Sequence, residues 1–173
     1  MLRAGVAADN AHDSHRTKGV RMNVDKETRT LLNELVETSK DGEKGFTMAA
    51  EEIADPQVKS VLLEGANRCR AGARELQEKV RTLGGEPETS GSALGAVHRG
   101  WINVNTPASP RDPKAILEEC ERGEDYAKAR YAEALRKPLP DDVRMLVQRQ
   151  YEGVVQNHDR VKALRDAARA ARQ

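Results

Sequence analysis

A chain of 173 residues, 33% charged and 3% aromatic, suits one domain able to bury a core without disulfides, and its Ala-, Leu- and Val-rich apolar set favours helix over sheet. Lys plus Arg (29) nearly balance Asp plus Glu (28), and one Trp, one Phe and three Tyr leave few stacking platforms, so composition argues against a nucleic-acid partner. No apolar run approaches the roughly 18 residues of a membrane span, and Cys69 and Cys120, far apart and without a secretion-type leader, point to reduced thiols in the cytoplasm.

Residues 1–22 are polar and aperiodic, which predicts a flexible tail ahead of a domain over 23–173. A first helix is predicted over about 27–54, where Leu32, Val36, Ser39, Phe46, Ala50 and Ile53 recur at steps that line one helical face. Asp55-Pro56 ends it, because proline disfavours helix at the residue before it and suits the first turn of the next. The second helix, about 56–83, carries Val58, Leu62, Gly65, Cys69, Gly72, Leu76 and Val80 on one line and stops at Gly84-Gly85. So short a turn forces the two helices antiparallel and adjacent.

Residues 84–112 are rich in glycine and proline and too long for a tight hairpin, which predicts a crossover along the bundle. Within it, Ser92 to Val104, with His98 and Trp101, is predicted to form a short helix whose Trp covers the core. A third helix follows over about 113–136 and a fourth over 141–170, separated by Pro138 and Pro140. The two hairpins echo each other: Asp41-Gly42-Glu43 recurs as Arg122-Gly123-Glu124, and Val58-Lys59 as Val143-Arg144. The whole reads as an all-α, antiparallel four-helix bundle of two hairpins joined by a long crossover.

Two glutamates interrupt the apolar stripes at matching places. Glu43 lies between Ser39 and Phe46, and Glu124 between Cys120 and Ala127. A carboxylate inside a bundle must be paired, protonated, hydrogen-bonded or metal-bound, since an isolated buried charge costs several kcal/mol or more. One solution is a carboxylate-bridged metal centre, with iron or manganese as the ion and Glu43, Glu124, His158, Glu75 and Glu152 as candidate ligands. The second is an ion-paired core using Arg68 or Arg74. Helix two offers Glu64-x-x-Asn67 where a two-metal bundle draws a Glu-x-x-His pair. Its small residues Gly65, Cys69 and Gly72 leave room for a small ligand as a third reading. In the acidic run Glu118 to Asp125, Glu124 and, less so, Glu121 are expected to face inward.

Four segments resemble a known family: Leu32 to Phe46, the Leu83-Gly84-Gly85-Glu86-Pro87 turn, Gly95 to Trp101, and Ile116 to Asp125. They are similar, in the same order, to the bacterial ferritin-like four-helix-bundle proteins of the domain of unknown function 2383 family, over about Met22 to the end of the fourth helix. The resemblance implies the ferritin-like fold and a bacterial cytoplasmic setting, and the wider ferritin-like group implies iron oxidation, peroxide handling or oxygenase chemistry. Two functional expectations stand side by side: a bundle that uses iron or manganese in redox or stress-protection chemistry, and a metal-free structural, interaction or stress protein whose inner acids are a degenerate site. Pairing into a homodimer is compatible with either, although no face is apolar enough to require it.

Overall fold

The computed structural model describes residues 9–92 and 112–170, with side chains from residue 24 onward in the first segment. Among these residues there are four helices and no strand: α1 (Asp9–Glu52), α2 (Pro56–Thr82), α3 (Pro113–Leu135) and α4 (Asp141–Ala170). α1 packs along α2 and α3 along α4; the hairpins join through α1 against α3 and, more thinly, α2 against α4.

The sequence pattern predicts a flexible tail through residue 22 and a helix from about 27, but α1 begins at Asp9. Apolar periodicity detects a helix only where the sequence carries an apolar stripe. Residues 9–26 contain no proline, and a helix once nucleated propagates at one hydrogen bond per residue fixed, without needing an apolar stripe. The expected short helix around His98 and Trp101 lies outside the described residues.

The other boundaries follow local chemistry. Asp55 caps α2, its Oδ1 accepting from the backbone N–H of Gln57 (2.8 Å) and Val58 (3.2 Å), with Pro56 in the first turn. Asp112 caps α3 through the Lys114 N–H (3.0 Å), again ahead of a proline. At the end of α2, Gly84 takes a φ of +72°, which lets the N–H groups of Gly84 and Gly85 turn back onto the carbonyls of Arg81 and Val80.

The described start of the crossover runs back along α1. Arg29 donates to the Leu83 carbonyl (2.8 Å), Asn33 exchanges hydrogen bonds with the backbone of Glu86 and Glu88 (both 3.0 Å), and the Ser92 N–H reaches Asp41 (3.1 Å). No helix among the described residues is long and apolar enough to cross a membrane.

The core falls into two apolar compartments. One surrounds Leu32, Leu35, Val36, Leu76, Val80 and Val147; the other surrounds Phe46, Ala50, Leu62, Ile116, Leu117 and Val161. Polar side chains separate them. On the thin α2–α4 side, Leu62, Leu76 and Val80 share the apolar compartments with Val143, Val147 and Val161, and the ion pairs Lys79–Asp142 (3.0 Å), Glu75–Arg149 (3.0 Å) and Glu64–Arg160 (2.9 Å) span the rim.

Candidate functional site

Glu124 sits in the polar middle of the bundle, only 3% exposed. Its Oε1 accepts from Arg68 of α2 (2.7 Å) and from the Asn157 amide of α4 (2.8 Å). Arg68 reaches it across the bundle past Gly153 of α4, where a Cβ would stand in ordinary contact, 3.6 Å from the Arg68 Cδ. The second oxygen of Glu124 and the Nε of Arg68 are buried with no hydrogen-bond partner among the described residues. Burial raises the Glu124 carboxyl above its ordinary value, against the opposing pull of Arg68, Asn157 and His158.

Glu43 has a different fate. Burial pushes its carboxyl up, but hydrogen bonds from Arg70 (Nε to Oε1, 2.7 Å) and Lys40 (Nζ to Oε2, 3.3 Å) outweigh burial and hold it below the ordinary range. The two stripe-breaking glutamates therefore end on different arginines. Arg74, the alternative partner in the sequence, is exposed.

The remaining candidates separate as well. Glu75 is about half exposed and accepts from Arg149 (3.0 Å) and Gln150 (2.8 Å) on the α2–α4 seam. Glu152, expected opposite Glu124, is exposed and accepts from Gln148 (2.9 Å). It follows Gln150 by two positions, a rotation of roughly 200° that carries it off the inward line.

A hydrogen-bond chain crosses the same polar layer. Ser39 Oγ lies 3.1 Å from the Tyr131 hydroxyl, which donates to Gln150 Oε1 (2.9 Å), and Gln150 Nε2 donates to the Gly72 carbonyl (3.2 Å) and to Glu75. Tyr131→Phe is expected to cost about 1–2 kcal/mol in urea denaturation, because Gln150 Oε1 loses its donor and Ser39 its acceptor; no measurable loss would show the chain to be incidental. Two thiols border the layer. Burial, with the fields of Glu124 and Glu43 adding to it and Arg68 opposing, pushes Cys69 up to about 12; burial and Glu124 do the same to Cys120. Neither thiol is ionised near neutrality, so neither is a nucleophile there.

His158 belongs to another constellation, in the groove between α3 and α4. Its ring is buried, with Nε2 3.1 Å from Asp125 Oδ1 and Nδ1 3.0 Å from Asp159 Oδ1. Glu121 stands one helical turn before Asp125 on the same face of α3. One ligand atom from each of Glu121, Asp125 and His158 lies within 4.8 Å of the others. Sequence reasoning set Asp125 on the solvent side, and its side chain is indeed 60% exposed. Only its carboxylate folds back onto the imidazole, a turn that helix phase does not reveal.

The residues permit a direct test of fit. A two-metal centre between Glu43 and Glu124 does not suit this interior, because the two carboxylates are held by different arginines, the imidazole is directed at Asp125 and Asp159, and neither glutamate joins a converging group of three donors among the described residues. The α3–α4 groove brings two carboxylates and one nitrogen together, a donor set of the size that could hold one ion, with Arg165 on Glu121 and Lys128 3.8 Å from Asp125.

A family model described as Domain of unknown function (DUF2383) matches residues 27–137. No curated protein matches the chain. Among solved structures, a mutant of Dps1 from Mycobacterium smegmatis is similar, with a TM-score of 0.66 and 16% identity, covering 82% of this chain and 96% of that one. That likeness speaks for the fold, a ferritin-like four-helix bundle.

Proposed function

The chain belongs to the family described as Domain of unknown function (DUF2383), and from that footing we propose that it binds one divalent transition-metal ion, iron or manganese, through Glu121, Asp125 and His158, in redox or stress-protection chemistry. The observation that carries this reading is the convergence of the three ligand atoms within 4.8 Å. Bound iron or manganese would supply one-electron redox chemistry.

The chain's own residues prepare the donors. Asp159 holds Nδ1 of His158 at 3.0 Å, which fixes the ring and leaves Nε2 toward Asp125, the arrangement in which a carboxylate orients a metal-binding imidazole. Glu121 and Asp125 are rigidly spaced by one turn of α3 and supply hard oxygen donors. Glu43 and Glu124 take no part in this site.

Titration with Mn(II), followed by the electron paramagnetic resonance signal of the free ion, tests the reading. Asp125→Asn and His158→Gln are each expected to weaken binding roughly tenfold or more, since each removes one of three protein donors. Binding that survives both substitutions unchanged would place the ion elsewhere and sink this assignment. A metal-free structural role is the second reading, and it draws its support from the interior, where Arg68 and Arg70 supply the positive charge beside Glu124 and Glu43.

A further inference from the structure

Glu121 and Asp125 place two carboxylates in one small volume, and the structure shows what keeps them together. Arg165 of α4 donates through one terminal nitrogen to Glu121 while its Nε and other terminal nitrogen hold Asp166 at 3.0 and 2.7 Å. Lys128 of α3 sets its Nζ 3.8 Å from Asp125 Oδ1 and 3.4 Å from Nδ1 of His158. Both donor carboxylates of the groove thus carry a cation of the chain's own.

We infer that Lys128 and Arg165 are tethered counter-cations that a metal ion must displace, making the groove a site of exchange and not of permanent retention. The inference rests on the proposed metal site and concerns its regulation. Each cation has somewhere to go. Arg165 keeps its two-point hold on Asp166 when it releases Glu121, and Lys128 is partly exposed on a flexible stem that can swing into water. Neither can stay where it is, because a divalent ion bound between Asp125 and Glu121 would face two positive charges a few ångströms away.

Two consequences follow. The ion-free groove is already assembled, so binding requires no ordering of the donors. Affinity is held down by the displaced charges, so the ion is released when its free concentration falls. Such a site responds to metal supply.

The test uses the full chain and Mn(II), read by the resonance of the free ion, with circular dichroism and thermal midpoint confirming that each variant folds. Lys128→Met and Arg165→Met are each expected to tighten binding about tenfold by removing a like charge close to the ion, whereas Lys128→Arg, which keeps the charge, is expected to resemble the wild type. Tighter binding in the two methionine variants, including the case in which only they bind detectably, upholds the inference. If the wild type binds in a manner dependent on Asp125 and His158, yet the methionine variants bind equally or more weakly, the inference is overturned and the site stands. Absence of binding in every protein overturns the site and the inference together.

Discussion

Arg68→Met is expected to destabilise the protein by about 3–5 kcal/mol at neutral pH, the range found when one partner of a buried pair is removed and the other charge is left behind. Methionine preserves most of the stem that passes Gly153, so the loss falls on the charge. Glu124 retains the Asn157 amide, one neutral donor for a carboxylate that burial already disfavours.

The sign of the pH dependence follows from the direction of the shift. A carboxyl raised in the folded state binds more protons folded than unfolded between the unfolded value, about 4.3, and its own raised value. Stability therefore falls as pH rises through that window and levels off above it. Removing Arg68 raises the folded value further, so the variant's deficit is greatest above it and shrinks as the pH is lowered through it. Urea denaturation at pH 8 and pH 5 should show the larger deficit at pH 8, and Arg68→Met with Glu124→Gln should recover much of the loss. An equal deficit at both pH values, or a double variant as weak as the single one, would mean that the stranded charge is not the cause.

The second large effect concerns the divided core. Leu62 and Leu76 are both fully buried on α2, two heptads or about 21 Å apart along the helix, and they belong to different apolar compartments. Each Leu→Ala change is expected to cost about 2–5 kcal/mol through lost burial and residual cavity. The double variant should equal the sum within about 0.5 kcal/mol, as distant sites without shared partners do. Coupling well above that would show that the polar layer does not separate the compartments.

The fold was readable where the chain carries strong punctuation. Pro56, Pro113 and the Gly84-Gly85 pair stand where α2 and α3 start and α2 stops, and the periodic apolar lines define the faces that pack. The start of α1 was hidden because the polar sequence after Asp9 carries no apolar stripe to betray its helicity. Glu124 could be picked out because it interrupts an apolar stripe, and Arg68 because an inward acid needs a cation. Asn157 and Asp125 could not. Asn157 is neutral and gives no sign of needing a partner, and Asp125 reaches the imidazole by a rotamer choice, which a sequence does not encode.

The path of Arg68 past Gly153 has one more effect. Leucine, valine and alanine are nearly interchangeable contacts, so an apolar seam alone accepts a neighbour shifted by a turn almost as readily as the correct one. A slip of one turn between the hairpins, 5.4 Å, would take Glu124 out of reach of Arg68, now 2.7 Å away, while Asn157, on the hairpin of Glu124 itself, would move with it. The guanidinium thus acts as an alignment pin between the two hairpins, rejecting the neighbouring registers that the greasy surfaces on either side would tolerate.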